Sequence, residues 1–340
     1  MKARPSKGAP GELALLQAIR ARAEDSSAIR AKSRVQLGIG DDCALLRPRA
    51  GEELAVTTDL SIQGRHFRLD WHPPESVGHR TLARGLSDLA AMGARPVAAF
   101  LSLGLPRELT LVQGKSAAWV TRFLDGLLAL AAEHGVPLAG GDLAESPIAI
   151  ADIVLTGSVP QGKALLRSSA KPGDRIYVTG SLGGAAAELA VLERSPQDFV
   201  KARRTEGVSP HLFPQPRVAQ GLWLRKRGLA SAAMDLSDGL STDLAHLCEE
   251  SGVAAEVDAA ALPLGSGATL EMALQGGEDY ELLFTAPENA KMPKQIEGVE
   301  ITAIGRTISR SSRKPSVSLI TGKSSQPLLP QGWEHFSAKS

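Results

Sequence analysis

Two spacings of apolar residues alternate along this chain. Leu13, Leu16, Ala18 and Ile19 recur at helical intervals and predict a short amphipathic helix over 11–23. The runs 35–39 and 54–59 are instead of strand length, each closed by acidic residues. A helix is predicted over 74–93, with Pro74 and Glu75 suited to its first turn and Gly93 to its stop. Leu82, Leu86, Leu89 and Ala90 form its core stripe, and Asp88 falls beside that stripe rather than opposite it. A strand at 97–105, a long helix over 111–134, a short run at 137–142 and a strand at 148–159 follow.

The second half repeats the alternation. A strand at 175–179 leads through Gly180-Ser181-Leu182-Gly183-Gly184 into a helix over 185–192. Beyond Pro214-Gln215-Pro216-Arg217 a helix runs to 228. It is followed by a strand at 232–236 and a helix over 238–248, for which Asp238 or Ser241 could serve as N-cap. Strands at 254–257, 282–285, 301–308 and 316–320 and a helix over 268–274 complete the pattern. The predicted class is α/β (α+β) in two domains, each a mixed sheet packed with helices. The Gly-, Ser- and Pro-containing stretch 160–173 is the expected junction, giving a tail at 1–10, an N-terminal domain at 11–160 and a C-terminal domain at 161–340.

Composition narrows the partners. The chain has 340 residues, enough for about two domains. Lys plus Arg number 38 against 37 for Asp plus Glu, so no global field favours nucleic acid or a membrane surface. Cys43 and Cys248 are the only cysteines, too few for a disulfide framework and suited to a reducing cytoplasm. No run of about 18 apolar residues occurs that could span a membrane. The basic, Gly/Pro-rich residues 1–10 are expected to be a flexible tail rather than a signal peptide.

The chemistry lies in recurring acidic turns. Leu37-Gly38-Ile39-Gly40-Asp41-Asp42-Cys43 ends an apolar run in glycines and paired carboxylates. Thr57-Thr58-Asp59, Leu86-Ser87-Asp88, Gly140-Gly141-Asp142 and Asp235-Leu236-Ser237-Asp238-Gly239 repeat the arrangement. Acidic strand-end loops without a compensating cluster of bases suit hard cations, which take oxygen ligands. Each turn taken alone also has a purely local explanation, since Asp and Gly favour turns. No phosphate loop of the Walker type is present: Gly114-Lys115-Ser116 and Gly322-Lys323-Ser324 lack the upstream glycine, and Gly38-Ile39-Gly40 meets Cys43 where a dinucleotide fingerprint needs glycine. The Gly180–Gly184 turn could cradle an anion or simply let a helix pack closely on a strand; the second reading is preferred.

In order, Gly38-Ile-Gly-Asp-Asp-Cys-Ala-Leu-Leu46, Thr57-Thr-Asp59 with Gly64-Arg-His-Phe67, and Leu86-Ser-Asp-Leu-Ala-Ala-Met-Gly-Ala94 are followed by three more motifs. These are Gly140-Gly-Asp142, Asp235-Leu-Ser-Asp-Gly239 and Gly276-Gly-Glu-Asp-Tyr-Glu-Leu282. This series resembles the thiamine-monophosphate kinase family, over about 11–336. The resemblance implies a fold like that of the aminoimidazole ribonucleotide synthetase superfamily, with an N-terminal ATP- and metal-binding domain that pairs two chains as a homodimer. It implies ATP-dependent phosphorylation of thiamine monophosphate to thiamine diphosphate with several Mg²⁺ ions. By motif, Asp42, Thr57, Thr58, Asp59, Asp88, Asp142, Asp235 and Asp238 resemble the metal ligands, some through backbone oxygen. Gly141, Asp142, Arg167 and Ser237 resemble the nucleotide contacts, and His66, Glu278 and Trp333 match positions that hold the thiamine phosphate.

Leu60, Leu143 and Gly85 depart from the family pattern. Without the motif series, His66 would be a loop histidine, Glu278 a surface charge, Trp333 a hydrophobic plug and Asp238 a helix cap. The other readings are another ATP-using enzyme of the superfamily or an inactive nucleotide-binding regulator. Against two such enzymes, the selenophosphate synthetases and the hydrogenase-maturation proteins, stand the missing Cys-rich N-terminal segment and a chain end, Phe336-Ser-Ala-Lys-Ser340, without Cys. The expected reaction joins two anions, so cancelling charge and aligning the attacking oxygen matter more than a general base.

Overall fold

A computed structural model of the chain describes residues 12–25, 34–112, 117–196, 199, 209–311 and 316–333. The predicted tail at 1–10 and Gly114-Lys115-Ser116 lie outside the described residues. The chain divides into two compact units, one formed by residues up to Gly85 with Pro96–Ser158, the other by Leu86–Arg95 with residues from Val159 onward.

The first unit holds α1 (Glu12–Asp25), β1 (Val35–Leu37), β2 (Leu45–Leu46), β3 (Glu52–Ile62), most of α2 (Pro74–Ala91), β4 (Arg95–Leu105), α3 (Trp119–Glu133), β5 (Leu138–Glu145) and β6 (Ile150–Pro160). Its sheet runs β3-β6-β4-β5, with β4 and β5 parallel, and β1 and β2 form a small antiparallel pair. The helices α2 and α3 cross with their backbones in contact. A Cβ at Gly78 would stand 1.9 Å from Phe123 O and one at Gly126 1.8 Å from Glu75 O, so glycine at both positions is what permits the crossing. Arg122 then clasps Glu75 with two hydrogen bonds of 2.7 Å. The apolar stripe Leu82, Leu86 and Leu89 is fully buried.

The second unit holds β7 (Arg175–Thr179), α4 (Gly184–Arg194), α5 (Val218–Arg227), β8 (Ala232–Asp235), α6 (Leu240–Ser251), β9 (Val253–Asp258), α7 (Leu270–Gln275), β10 (Leu282–Ala286), β11 (Gln295–Ile296), β12 (Val299–Ser309), β13 (Val317–Thr321) and β14 (Ser324–Pro327). The sheet order is β14-β13-β9-β12-β7-β10-β8, with β11 on β12. Its named pairings are antiparallel except β13 with β9. Leu244, Leu247 and Cys248 of α6 pack with Ile176, Val178, Met234, Val257, Leu283 and Ile304 of the strands in one core. Burying each such aliphatic side chain stabilises the fold by about 1.5–3 kcal/mol. The end of α2 groups with this unit because α5 lies against it. Arg225 donates to Gly93 O over 2.6 Å, and Leu165 N–H to Met92 O over 3.1 Å.

Several elements differ from the sequence expectation: β2, β11 and β14 were not expected, β1 ends at Leu37, and other bounds shift. The helix expected over 111–134 starts only at Trp119, because Arg107–Thr110 closes a separate 3₁₀ turn and Leu111 is extended. The strand expected to end at Asp59 continues to Ile62. The run expected to end at Asp142 continues to Glu145, carried by parallel pairing of Leu101, Ser102 and Leu103 with Gly141, Asp142 and Leu143. In both strands the carboxylate lies mid-strand, Asp142 exposed and Asp59 paired with Arg84, so an acidic residue does not end the strand. Among the described residues no helix is long and apolar enough to cross a membrane.

Candidate active site

In the second unit the site grows from the carboxyl end of β8. Ala232–Asp235 is a wholly buried strand, and Asp235 closes it at 3% exposure. The Ser87 hydroxyl, on the last turns of α2, donates to Asp235 Oδ2 over 2.8 Å. Burial raises the Asp235 pKa, the nearby Asp88 carboxylate raises it further, and the Ser87 hydrogen bond and the Arg167 charge oppose them. Arg167 itself is exposed, at the start of a 3₁₀ turn whose neighbour Leu166 accepts from Ala233 N–H over 3.2 Å.

Beyond Asp235 the chain turns through Ser237, Asp238 and Gly239 into α6. Neither Asp238 nor Ser241 caps that helix: the N-cap is Gly239, at φ 106, which brings no side chain. The work falls instead to Asp243, inside the first turn, whose Oδ2 accepts from the N–H groups of Ser237, Asp238 and Gly239, each at 3.1 Å. Burial, then the carboxylates of Asp235 and Asp238, push the Asp243 pKa up to about 8. A carboxyl protonated on one oxygen still offers the other to all three donors.

A second segment lies along this turn. Tyr280 N–H donates to Leu236 O over 2.9 Å and Glu278 N–H to Ser237 O over 2.8 Å. A third segment closes beside it, with Trp333 N–H on Asp238 O at 3.1 Å and Gly332 N–H on Thr242 Oγ1 at 3.1 Å. Ser237, Asp238, Glu278 and Trp333 are thereby gathered on adjoining backbone, with Trp333 46% exposed.

Acidic residues in the same motif serve the fold. Asp279 accepts from Gly183 N–H at 2.6 Å and Ala185 N–H at 3.2 Å, so the Gly180–Gly184 turn receives a carboxyl group supplied by the chain itself. Glu281 accepts two hydrogen bonds of 2.6 Å from Arg217 and one of 2.6 Å from Thr179.

In the first unit Asp42 is exposed in the turn between β1 and β2, its N–H on Asp41 Oδ1 at 2.9 Å. Thr57 is half-buried and Thr58 exposed on β3, whereas Asp59 is paired with Arg84 at 2.6 and 3.0 Å. His66 Nδ1 accepts from Ile62 N–H at 3.1 Å, which puts the ring proton on Nε2. Position 141 requires glycine, since it lies at φ 147 and a Cβ there would stand 1.8 Å from Leu101 O, and Asp142 beside it is exposed. The unit does not gather these residues: β3 and β5 are the two edges of the four-stranded sheet, roughly 14 Å apart at about 4.8 Å per strand. Of the departures, Gly85 has a packing reason, since a Cβ there would lie 2.2 Å from Leu155 Cδ1.

Among the described residues no three His, Cys, Asp or Glu side chains converge as a metal cage. Mg²⁺ rarely uses one; it keeps waters and binds through one or two carboxylates plus substrate phosphates. The neighbouring Asp88 and Asp235, whose mutual repulsion a cation would relieve, fit that demand. Sequence reasoning missed Asp243, for which the only signal was an acid in a helix's first turn.

Residues 40–159 match the family model of the AIR synthase related protein, N-terminal domain, and residues 171–317 that of the AIR synthase related protein, C-terminal domain. The chain is 42% identical over 284 residues to the thiamine-monophosphate kinase of Salmonella typhimurium, covering 80% of this chain and 84% of that one. The crystal structure of thiamine-monophosphate kinase from Stenotrophomonas maltophilia is similar with a TM-score of 0.73 at 37% identity, over 91% of this chain and 96% of that one. A structure of AaThiL complexed with AMPPCP and TMP is similar with a TM-score of 0.71 at 30% identity, over 99% of this chain and 100% of that one. By identity and coverage together, the chain belongs to the thiamine-monophosphate kinase family.

Proposed function

We propose that this chain transfers the γ-phosphoryl group of ATP to thiamine monophosphate, forming thiamine diphosphate. Family membership carries the reading, and a relative complexed with AMPPCP and TMP supports it directly. In the transfer, the bond from γ-phosphorus to the β,γ-bridging oxygen breaks and one forms to a phosphate oxygen of the acceptor; ADP leaves with the electron pair. The acceptor phosphate is largely ionised near neutral pH, with a second pKa of about 6, so no general base is required. Several Mg²⁺ ions, when bound, neutralise the phosphates and template their approach.

Asp42, Thr57, Thr58, Asp59, Asp88, Asp142, Asp235 and Asp238 are the residues that would hold those ions. For Asp59 this requires sharing its carboxylate with Arg84. Gly141 offers backbone and Ser237, whose N–H and carbonyl are held by Asp243 and Glu278, its hydroxyl to the nucleotide, and Arg167 offsets its phosphate charge. Trp333 presents an exposed ring for stacking on a cationic heterocycle, Glu278 a carboxylate for an aminopyrimidine, and His66 an Nε2–H donor.

The domain reading is 11–160 for ATP, metal and dimerisation and 161–340 for the remainder, a division supported by family models meeting between 159 and 171. A homodimer is supported by Leu54, Val56 and Leu60, which are 46%, 62% and 45% exposed along one face of the edge strand β3. Cytoplasmic localisation is supported by the cysteine usage.

The test is incubation with ATP, Mg²⁺ and thiamine monophosphate, followed by chromatography of the thiamine species, with free thiamine as control. Thiamine diphosphate formed from the monophosphate alone, and lost with a chelator, is the expected result. No thiamine diphosphate would overturn the reading.

A further inference from the structure

Glu278 is held in an unusual way. Its backbone lies at φ 67, in the left-handed region that side-chain-bearing residues seldom occupy, and Tyr280 follows at φ 51. Such conformations are strained and persist where the surroundings over-determine them, often at ligand sites. The surroundings here include a buried histidine. His211, with its side chain 2% exposed, places Nδ1 3.2 Å from Glu278 Oε2. A carboxylate oxygen can only accept, so Nδ1 carries the proton.

His211 is in turn fixed from behind. Its backbone N–H donates to Glu188 Oε2 at 2.5 Å, and the Ser209 hydroxyl donates to Glu188 Oε1 at 2.5 Å. Glu188 is 5% exposed and stands on α4, whose first turn is bound by Asp279. Two adjacent residues, Glu278 and Asp279, are therefore anchored to the same helix, one through the imidazole and one directly. Fixing one carboxylate oxygen of Glu278 fixes the plane of the group, and with it the direction of the other oxygen.

We propose that His211 is a positioning residue for the phosphoryl acceptor: it aims the Glu278 carboxylate at the amino-bearing heterocycle and so sets affinity for that ligand without touching the nucleotide. This rests on the activity proposed above. Neither the motif series nor any residue match assigns His211 a role. The class of ligand follows from the group being aimed, since an oriented carboxylate selects an N–H donor.

The measurement is steady-state kinetics of thiamine diphosphate formation for wild type, His211→Leu and His211→Asn, varying each substrate in turn. The asparagine amide nitrogen occupies nearly the position of Nδ1 and keeps a donor there, whereas leucine keeps only bulk. His211→Leu is expected to raise KM for thiamine monophosphate about tenfold, the loss of roughly one oriented hydrogen bond to a charged group. KM for ATP is expected to stay within about twofold, and His211→Asn to recover most of the acceptor affinity. If the leucine variant does not fold, His211→Gln, whose amide lies one methylene further out, takes its place with the same expectation.

An unchanged acceptor KM in an active leucine or glutamine variant overturns the role, as does an equal rise in both KM values. Failure of asparagine to differ from leucine or glutamine also overturns it. Wild-type protein that makes no thiamine diphosphate overturns the activity itself, a result separate from any difference among the variants.

Discussion

Ser87 and Asp235, 148 residues apart in sequence, meet in a buried hydrogen bond of 2.8 Å that ties the end of α2 to the end of β8. The hydroxyl is the donor that offsets burial and the Asp88 charge at this carboxylate. Ser87→Ala is expected to cost about 1–3 kcal/mol, because the acceptor remains buried without it. Thermal unfolding of the variant should fall by several degrees, at roughly 2–4 °C per kcal/mol. An unchanged Tm would contradict the assignment.

The turn that carries Ser237 and Asp238 is shaped by Asp243 from within α6. Asp243→Ala leaves three inward-facing N–H groups without that acceptor and is expected to cost about 2–3 kcal/mol. Asp243→Asn keeps one oxygen in the same place and should cost less than about 1 kcal/mol. Chemical unfolding of both variants checks this, and equal losses would contradict it.

Gly141 and Asp142 separate backbone from side-chain effects at neighbouring positions. Gly141→Ala drives a methyl group to 1.8 Å from Leu101 O and is expected to lose more than about 3 kcal/mol of stability, with or without nucleotide. Asp142→Asn alters an exposed carboxylate and should leave Tm unchanged while turnover falls about 100-fold or more. Wild-type turnover in the asparagine variant would remove Asp142 from the metal set.

A pH effect is expected at His134, whose Nε2 is buried without a hydrogen-bond partner among the described residues. Burial lowers the imidazole pKa below 6.5, against a smaller opposing effect of Glu133. The unfolded chain therefore binds the proton more readily. The contribution to stability is full above pH 6.5 and is lost as pH falls through the lowered value. His134→Leu should show a shallower fall in Tm between about pH 7 and pH 5 than wild type; parallel profiles would contradict this.

Much of this was legible in the chain, for physical reasons that differ by element. β7 was predicted over the same residues, 175–179, because its buried run lies between turn formers. The Gly78 and Gly126 crossing was not, since nothing local distinguishes a glycine that meets another helix from one that merely loosens its own. The acidic motifs were found, but mid-strand Asp59 and Asp142 were read as strand ends, because a carboxylate that is exposed or paired with a base breaks hydrophobic periodicity without breaking the strand. Asp243 and His211 were invisible for another reason: each acts on backbone or side chains brought near by folding, and neither sits in a composition that announces it.

The most direct test follows the phosphorus. With ATP labelled in the γ position, Mg²⁺ and thiamine monophosphate in a single turnover, label should appear in the terminal phosphate of thiamine diphosphate, with none bound to protein. Label released only as inorganic phosphate, or retained in ATP while the acceptor is unchanged, would contradict phosphoryl transfer by this chain.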